Sequence, residues 1–128
     1  MSQHNVVVLR GTLAAEARIR ELPSGSVLGQ FDVTTRDDGG TQSVPIAWFD
    51  PPGTLAELTA GTELVVVGCV RRRFFRAGGA TQSRTEVVAD KVVPVRRVRD
   101  VKRALETAMR ALQGADAGSD EVAVAASG

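Results

Sequence analysis

Two arginines and a phenylalanine share one face of the segment Val65–Phe75, whose valine-rich sequence predicts a β-strand. Because successive side chains of a strand point to opposite faces, Arg71, Arg73 and Phe75 follow one another on the same side. Guanidinium groups bind phosphates, and a flat aromatic ring gives a nucleobase a surface on which to stack. The row therefore predicts contact with single-stranded nucleic acid. The alternative is a twisted hairpin whose arginines are only solvated and whose Phe74 or Phe75 covers the end of the core.

Basic residues are concentrated around this segment, although the 128-residue chain carries a net charge of only +1. Residues 1–60 have a net charge of −3, residues 61–113 of +7, and residues 114–128 of −3. Fourteen of the sixteen basic residues are arginine, the side chain suited to two-pronged phosphate contacts and to stacking on bases. Arg76 and Arg84 lie just beyond the strand and extend the predicted cationic surface.

The chain offers few residues for catalysis or for metal binding. One histidine, His4, and one cysteine, Cys69, allow no disulfide within the chain, no Cys-rich zinc site and no catalytic pair of histidine and acid. The pair Gly78-Gly79 is not followed by the Lys-Ser/Thr of a phosphate-binding loop. We therefore expect a binding protein rather than an enzyme, with no cofactor. The sequence has no apolar run of membrane-spanning length and no secretory leader, so we expect a cytoplasmic protein without membrane contact.

Alternating apolar segments separated by turn residues indicate the strands that must position the arginines. The predicted strands are Asn5–Leu13 with an extension at Arg18–Leu22, Val27–Arg36, Thr41–Phe49, Thr62–Phe75 and Ser83–Val95. Thr54–Thr59 predicts one or two helical turns between the third and fourth strands, and Ala77–Gln82 predicts a glycine-rich connector before the fifth. Five strands with this short helix predict an all-β fold, the five-stranded Greek-key barrel called the OB-fold.

Beyond the barrel, Asp100–Gln113 predicts an amphipathic helix that begins at Asp100 as its N-cap. Its predicted apolar stripe is Val101, Leu105, Ala108 and Leu112. The helix either packs on the barrel or between subunits, or it presents a basic face that extends a nucleic-acid path. We divide the chain into an OB-fold domain at 1–96, a helix at 97–113 and a disordered, weakly acidic tail at 114–128.

Several short motifs occur in an order that is typical of one family. They are Asn5–Leu13, Arg20 with Pro23-Ser24-Gly25, Phe31–Thr35, Gly61–Gly68, Val70–Phe75 and Thr85–Ala89. The Val70–Phe75 stretch corresponds to a Leu-x-x-Arg-x-Trp motif, and Thr85–Ala89 begins with the family's Thr-Glu-Val. Over residues 5–95 the chain thus resembles the bacterial single-stranded DNA-binding proteins of the oligomeric OB-fold type.

The resemblance implies sequence-independent binding and protection of single-stranded DNA by a homo-oligomer, most often a tetramer, in replication, recombination or repair. It places a base-stacking ring at Phe75, with Arg71 and Arg73 beside it, and a second ring at Phe49. Together with Arg76 and Arg84, these residues are the predicted binding site.

The chain also departs from this pattern. The family's third-strand tryptophan falls near Ser43, and the loop that holds another is shortened around 36–40, while Trp48 and Phe31 are predicted to lie in the core. The last residues lack the terminal apolar patch that recruits other proteins, so we do not expect tail-mediated recruitment and interpret the chain as an auxiliary paralogue. The small number of aromatic residues favours an alternative, a protein-interaction OB module of a replication or primosome assembly with weak nucleic-acid affinity.

Overall fold

Segments rich in valine and threonine, which favour extended backbone, build six strands. The computed structural model describes residues 4–114 of the chain. In chain order the strands are β1 (Val7–Leu13), β2 (Arg18–Glu21), β3 (Val27–Asp37), β4 (Gly40–Phe49), β5 (Glu63–Ala77) and β6 (Ala80–Pro94). A 3-10 helix at Gly53–Glu57 separates β4 from β5, and the helix α1 (Val98–Gln113) follows β6.

The first strand closes the sheet into a barrel because it pairs on both of its edges. β1 pairs antiparallel with β5 along its length and with β3 at Thr12 and Leu13. β2 resumes the strand after residues 14–17 and pairs with β3, so β1 and β2 together take the place of one barrel strand. A parallel contact between β4 and β6 completes the ring. The predicted five-stranded OB topology is confirmed.

The barrel interior is filled by side chains that alternate along each strand. Its buried members include Leu13, Phe31, Val33, Ile46, Trp48, Leu64 and Val66, which agrees with the core positions predicted for Trp48 and Phe31. On β5, Leu64 and Val66 point into this core, whereas Val65 and Val67 pack beneath α1 on the outside of the barrel. The first half of β5 is therefore covered on both faces, and its second half extends beyond the barrel.

Two glycines allow backbones to approach where the barrel strands bend. A Cβ atom on Gly11 would lie 2.4 Å from the carbonyl oxygen of Thr34, where β1 crosses from β5 to β3. A Cβ atom on Gly68 would lie 2.0 Å from the carbonyl oxygen of Val88, next to the register shift between β5 and β6. Any side chain at either position would collide with backbone, so both sites require glycine.

The structure corrects the predicted connector at 77–82. β5 and β6 continue to Ala77 and Ala80 and are joined by the two residues Gly78 and Gly79 alone. Their φ angles of 63° and 81° are the positive values that a tight hairpin turn needs at both central positions, and glycine adopts them without strain. The result is a long two-stranded arm, residues 70–87, that carries most of the predicted site.

The structure also corrects the helix predicted at Thr54–Thr59, since the segment forms a single 3-10 helix at Gly53–Glu57. Leu55 and Leu58 both reach the barrel core from this segment. Their spacing of three residues matches the three-residue period of a 3-10 turn, and no side chain caps the N-terminus of an α-helix there.

The C-terminal helix is present, but it begins at Val98 rather than at Asp100, and only part of its predicted apolar stripe faces the barrel. Val101 and Ala108 of that stripe pack inward as predicted. Ala104 and Ala108 are its buried residues, while Leu105 and Leu112 are exposed. Small side chains let α1 lie close to Val65 and Val67, which already fill the space above β5. None of the helices at residues 4–114 is long and apolar enough to cross a membrane. Apart from Gly114, the tail predicted to be disordered lies outside the described residues.

Candidate nucleic-acid interface

The predicted arginines and rings meet on the outer side of the barrel, where β4, β5 and β6 lie side by side. We call this surface the front face and define it by Phe49, Arg71, Arg73, Phe75, Arg84 and Glu86. Phe49 ends β4, the two arginines and Phe75 alternate along β5, and Arg84 and Glu86 lie on β6 directly opposite Arg73 and Arg71. The strand alternation predicted from the sequence therefore holds along the arm.

A buried carboxylate organises the arginines of the front face. Glu86 is only 4% exposed, and its Oε2 accepts a hydrogen bond of 3.0 Å from Nη2 of Arg71. Nε of Arg73 lies 3.4 Å from the same oxygen, and Nη2 of Arg73 lies 3.5 Å from Oε1. A buried carboxylate must be paired with a cation, and here two guanidinium groups share it. The pairing holds two like charges side by side and leaves them a combined charge of +1.

Each of these arginines also lies against an aromatic ring. The guanidinium carbon of Arg71 is 5.4 Å from the ring centre of Phe49, and that of Arg73 is 5.4 Å from the ring centre of Phe75. Contacts of this kind contribute about 0.5–1 kcal/mol at exposed sites. The planar groups are thereby arranged in two pairs, and both pairs contact the same carboxylate. Flat groups beside cations are the elements of a surface that stacks bases and holds phosphates.

A shallow cavity of about 150 Å³ opens between the arginines and the neighbouring strands. Arg20 of β2 and Gln30 of β3 reach it from one side, and Phe49 forms part of its wall. Phe49 is 37% exposed, so an incoming planar group has access to the ring. Arg20 adds a cation that lies far from the arm in the sequence, and only the pairing of β2 with β3 brings it here.

The structure does not bring Arg76 to the front face. Arg76 belongs to the alternate positions of β5, and its Nη2 donates a hydrogen bond of 3.3 Å to the carbonyl oxygen of Gly79 at the turn. Five of the six predicted site residues thus share the front face, and the sixth lies on the opposite side of the arm. Across residues 4–114, no cluster of three His, Cys, Asp or Glu side chains could hold a metal ion.

Glu86 is the site residue that the sequence analysis missed. An acidic side chain is not typical of a phosphate-binding surface. Once the two-residue turn at Gly78-Gly79 is recognised, however, counting outward along both strands places Glu86 opposite Arg71. Glu86 could thus have been placed in the site from the position of the turn, but not from the residues around it in the sequence.

Comparison with known proteins supports the fold. No protein-family model matches the chain, and no curated protein matches it. Among the solved structures that match is a Plasmodium falciparum SSB complex with ssDNA, with a TM-score of 0.63 and 19% sequence identity. The match covers 73% of this chain and 97% of that one. The chain has an OB-fold. At 19% identity the likeness between the two structures shows a shared fold and nothing beyond it.

Proposed function

We propose that the protein binds single-stranded DNA without sequence preference, through the front face, and that it does so without catalysis. The observation that carries this proposal is the pair of arginines anchored on Glu86, each lying against a phenylalanine ring. The fold shared with an SSB that was solved as a complex with ssDNA is a second support. A surface built in this way recognises features that every nucleotide has, a phosphate and a flat base.

The binding mechanism follows from the geometry of the front face. When a phosphate approaches Arg71 or Arg73, the guanidinium gives up part of its contact with Glu86 and contacts the phosphate instead. The remaining contact with the carboxylate keeps each guanidinium in place. A base stacks on Phe49 or Phe75, and each such stack contributes about 1–3 kcal/mol. Because phosphates release their counterions when they are bound, the affinity falls as the salt concentration rises.

The proposal extends to a homo-oligomer, most simply a tetramer, that protects single-stranded DNA during replication, recombination or repair. Each chain offers only two rings on the front face, so several chains on one strand would supply the stacks that a single chain lacks. The proposal includes the interpretation as a bacterial auxiliary paralogue, located with the nucleoid in the cytoplasm.

A second candidate function is a protein-interaction OB module with weak nucleic-acid affinity. It is favoured by the outer face of α1, where Leu105, Met109 and Leu112 are exposed at helical spacing. An apolar stripe of this kind is typical of helices that contact another protein. The first function requires the front face to bind single-stranded DNA tightly, and the second does not. A titration with single-stranded DNA therefore distinguishes them.

The test is a titration of a fluorescent oligo-dT of about 35 nucleotides, long enough for several OB domains, at low and at high salt. We expect sub-micromolar binding at low salt that weakens as salt is added. Phe75→Ala and Arg73→Ala should each weaken it, whereas Arg99→Ala on α1 removes the same charge away from the front face and should not. Absence of binding at low salt would refute the proposal and favour the interaction module. Light scattering that gives a 13.5 kDa particle would refute the oligomer.

A further inference from the structure

The arm has a second exposed ring, on the side opposite to the front face. We call this side the back face and define it by Val70, Arg72, Phe74 and Arg76 of β5. Phe74 is 67% exposed, which makes it far more accessible than Phe49 at 37%. An arginine lies two residues before it and another two residues after it, so both point to the same side of the strand as the ring.

The back face carries positive charge and no negative charge. Arg72, Phe74 and Arg76 lie opposite Thr85, Ser83 and Thr81 on β6, so hydroxyl groups flank the ring on the neighbouring strand. Within the described part of the chain, neither Arg72 nor Arg76 forms an ion pair. The front face differs, because Glu86 there pairs with two of the three arginines and offsets one positive charge.

The edge of β5 between the two faces is open. β1 pairs with β5 as far as Gly68, and the side chain of Asn5 then bonds to both backbone groups of Val70, at 2.9 Å to its N–H and 2.7 Å to its carbonyl. Backbone groups of alternate strand residues point to the same edge, so those of Arg72, Phe74 and Arg76 also point outward. N–H groups in this position can donate hydrogen bonds to phosphate oxygens.

We propose that the back face is a second binding surface for single-stranded DNA, with Phe74 as its stacking platform and Arg72 and Arg76 as its phosphate contacts. The strand crosses the open edge of β5 and contacts both faces of the arm. The inference rests on the proposed function of the front face, since it extends the proposed path of the DNA from the front face onto the back face.

Charge complementarity favours a nucleic acid over a second copy of the chain on this surface. A two-fold contact between two back faces would bring Arg72 and Arg76 of one copy against the same residues of the other, with no acid among the back-face residues to separate them. A polyanion with flat bases satisfies both the arginines and the ring.

The experiment compares oligo-dT of about 35 nucleotides with oligo-dT of about 4 nucleotides, the lower end of the site size of one OB domain. We expect Phe74→Ala to weaken binding of the long oligonucleotide by roughly 5- to 150-fold, the loss of about one base stack, and to change binding of the short one less. Phe74→Trp should keep the affinity, and Phe74→Leu, which is apolar but has no ring, should lose it. Val98→Ala removes an equally exposed apolar side chain from α1 and serves as the control.

The outcomes separate the two proposals. If the unaltered protein binds the long oligonucleotide and Phe75→Ala weakens it, but Phe74→Ala does not, the front face stands and the back-face inference is overturned. If the unaltered protein does not bind at all, the proposed function fails as well. If Phe74→Ala forms a smaller particle than the unaltered protein and Phe74→Leu does not, the back face is an interface between copies of the chain. This result would also overturn the inference. Circular dichroism of each variant checks that the barrel remains folded.

Discussion

Replacing Glu86 with glutamine should make the protein less stable and, at low salt, a better DNA binder. Glutamine keeps the shape of the side chain and one acceptor oxygen, but it removes the negative charge that Arg71 and Arg73 share. The two arginines then present a charge of +2 instead of +1 to the strand. A surface with one more free cation neutralises up to one more phosphate for each chain that contacts the DNA.

The magnitude of the binding effect follows from counterion release. For single strands, the slope of log K against log salt steepens by about 0.7 for each additional phosphate. Between 50 and 200 mM salt this corresponds to about a 2.6-fold greater loss of affinity in Glu86→Gln than in the unaltered protein, with tighter binding at the low end. Titrating the same oligo-dT at four or five salt concentrations measures both slopes.

The effect on stability has the opposite sign. The carboxylate is buried, while Arg71 and Arg73 keep 43% and 35% of their side-chain surface exposed and stay solvated when it is removed. We therefore expect a loss of about 1–2 kcal/mol in the free energy of unfolding, less than for a fully buried ion pair. For a domain of this size, that loss lowers Tm by about 4–10 °C.

Glu63→Gln is the matched control for Glu86→Gln. It removes the same charge from the neighbouring strand β5, but its partner Arg10 is exposed and lies away from the arm. Glu63→Gln should leave the salt slope unchanged. If Glu86→Gln also left the slope unchanged and weakened binding at all salt concentrations, Glu86 would act only by positioning the arginines. The reasoning from shared charge would then be wrong.

The remaining predictions concern packing. Gly68→Ala should lower the free energy of unfolding by at least about 2 kcal/mol in urea titrations, because its Cβ would collide with the backbone of Val88. Gly53→Ala is the control. The space around its Cβ position is open, so this substitution should change the free energy of unfolding much less. Ala104→Leu should cost about 1–3 kcal/mol by forcing α1 away from Val65, while Ala111→Leu on the exposed side of α1 should be nearly neutral in the same assay. Equal effects of the two helix substitutions would contradict the packing described for α1.

The barrel could be predicted from the sequence because each of its strands carries its own pattern of alternating apolar residues. The same local pattern placed Arg71, Arg73 and Phe75 together correctly, since the faces of a strand depend only on counting by two. The sequence therefore predicts those features of the fold that depend on the residues of a single strand.

What could not be predicted depends on contacts between elements. The inward face of α1 is an example, because the larger Leu105 and Leu112 suggested a stripe that the structure leaves exposed. The surface beneath α1 is already filled by valines of β5, so only alanine fits between them. Glu86 is a second example, because its partners are defined by the register of the arm, and that register depends on the two-residue turn at its tip.

The arm also gives a physical reason for proposing an oligomer. One chain would offer three stacking rings, Phe49, Phe74 and Phe75, each contributing about 1–3 kcal/mol, and part of this gain is lost in ordering a flexible strand. The remainder corresponds to a Kd that is micromolar at best, since 1 μM requires about 8 kcal/mol. A second arm held on the same strand acts at an effective concentration of about millimolar and tightens binding without any new kind of contact. Sub-micromolar affinity of a chain with so few rings would therefore depend on assembly, and conditions that dissociate the proposed oligomer should weaken DNA binding in parallel.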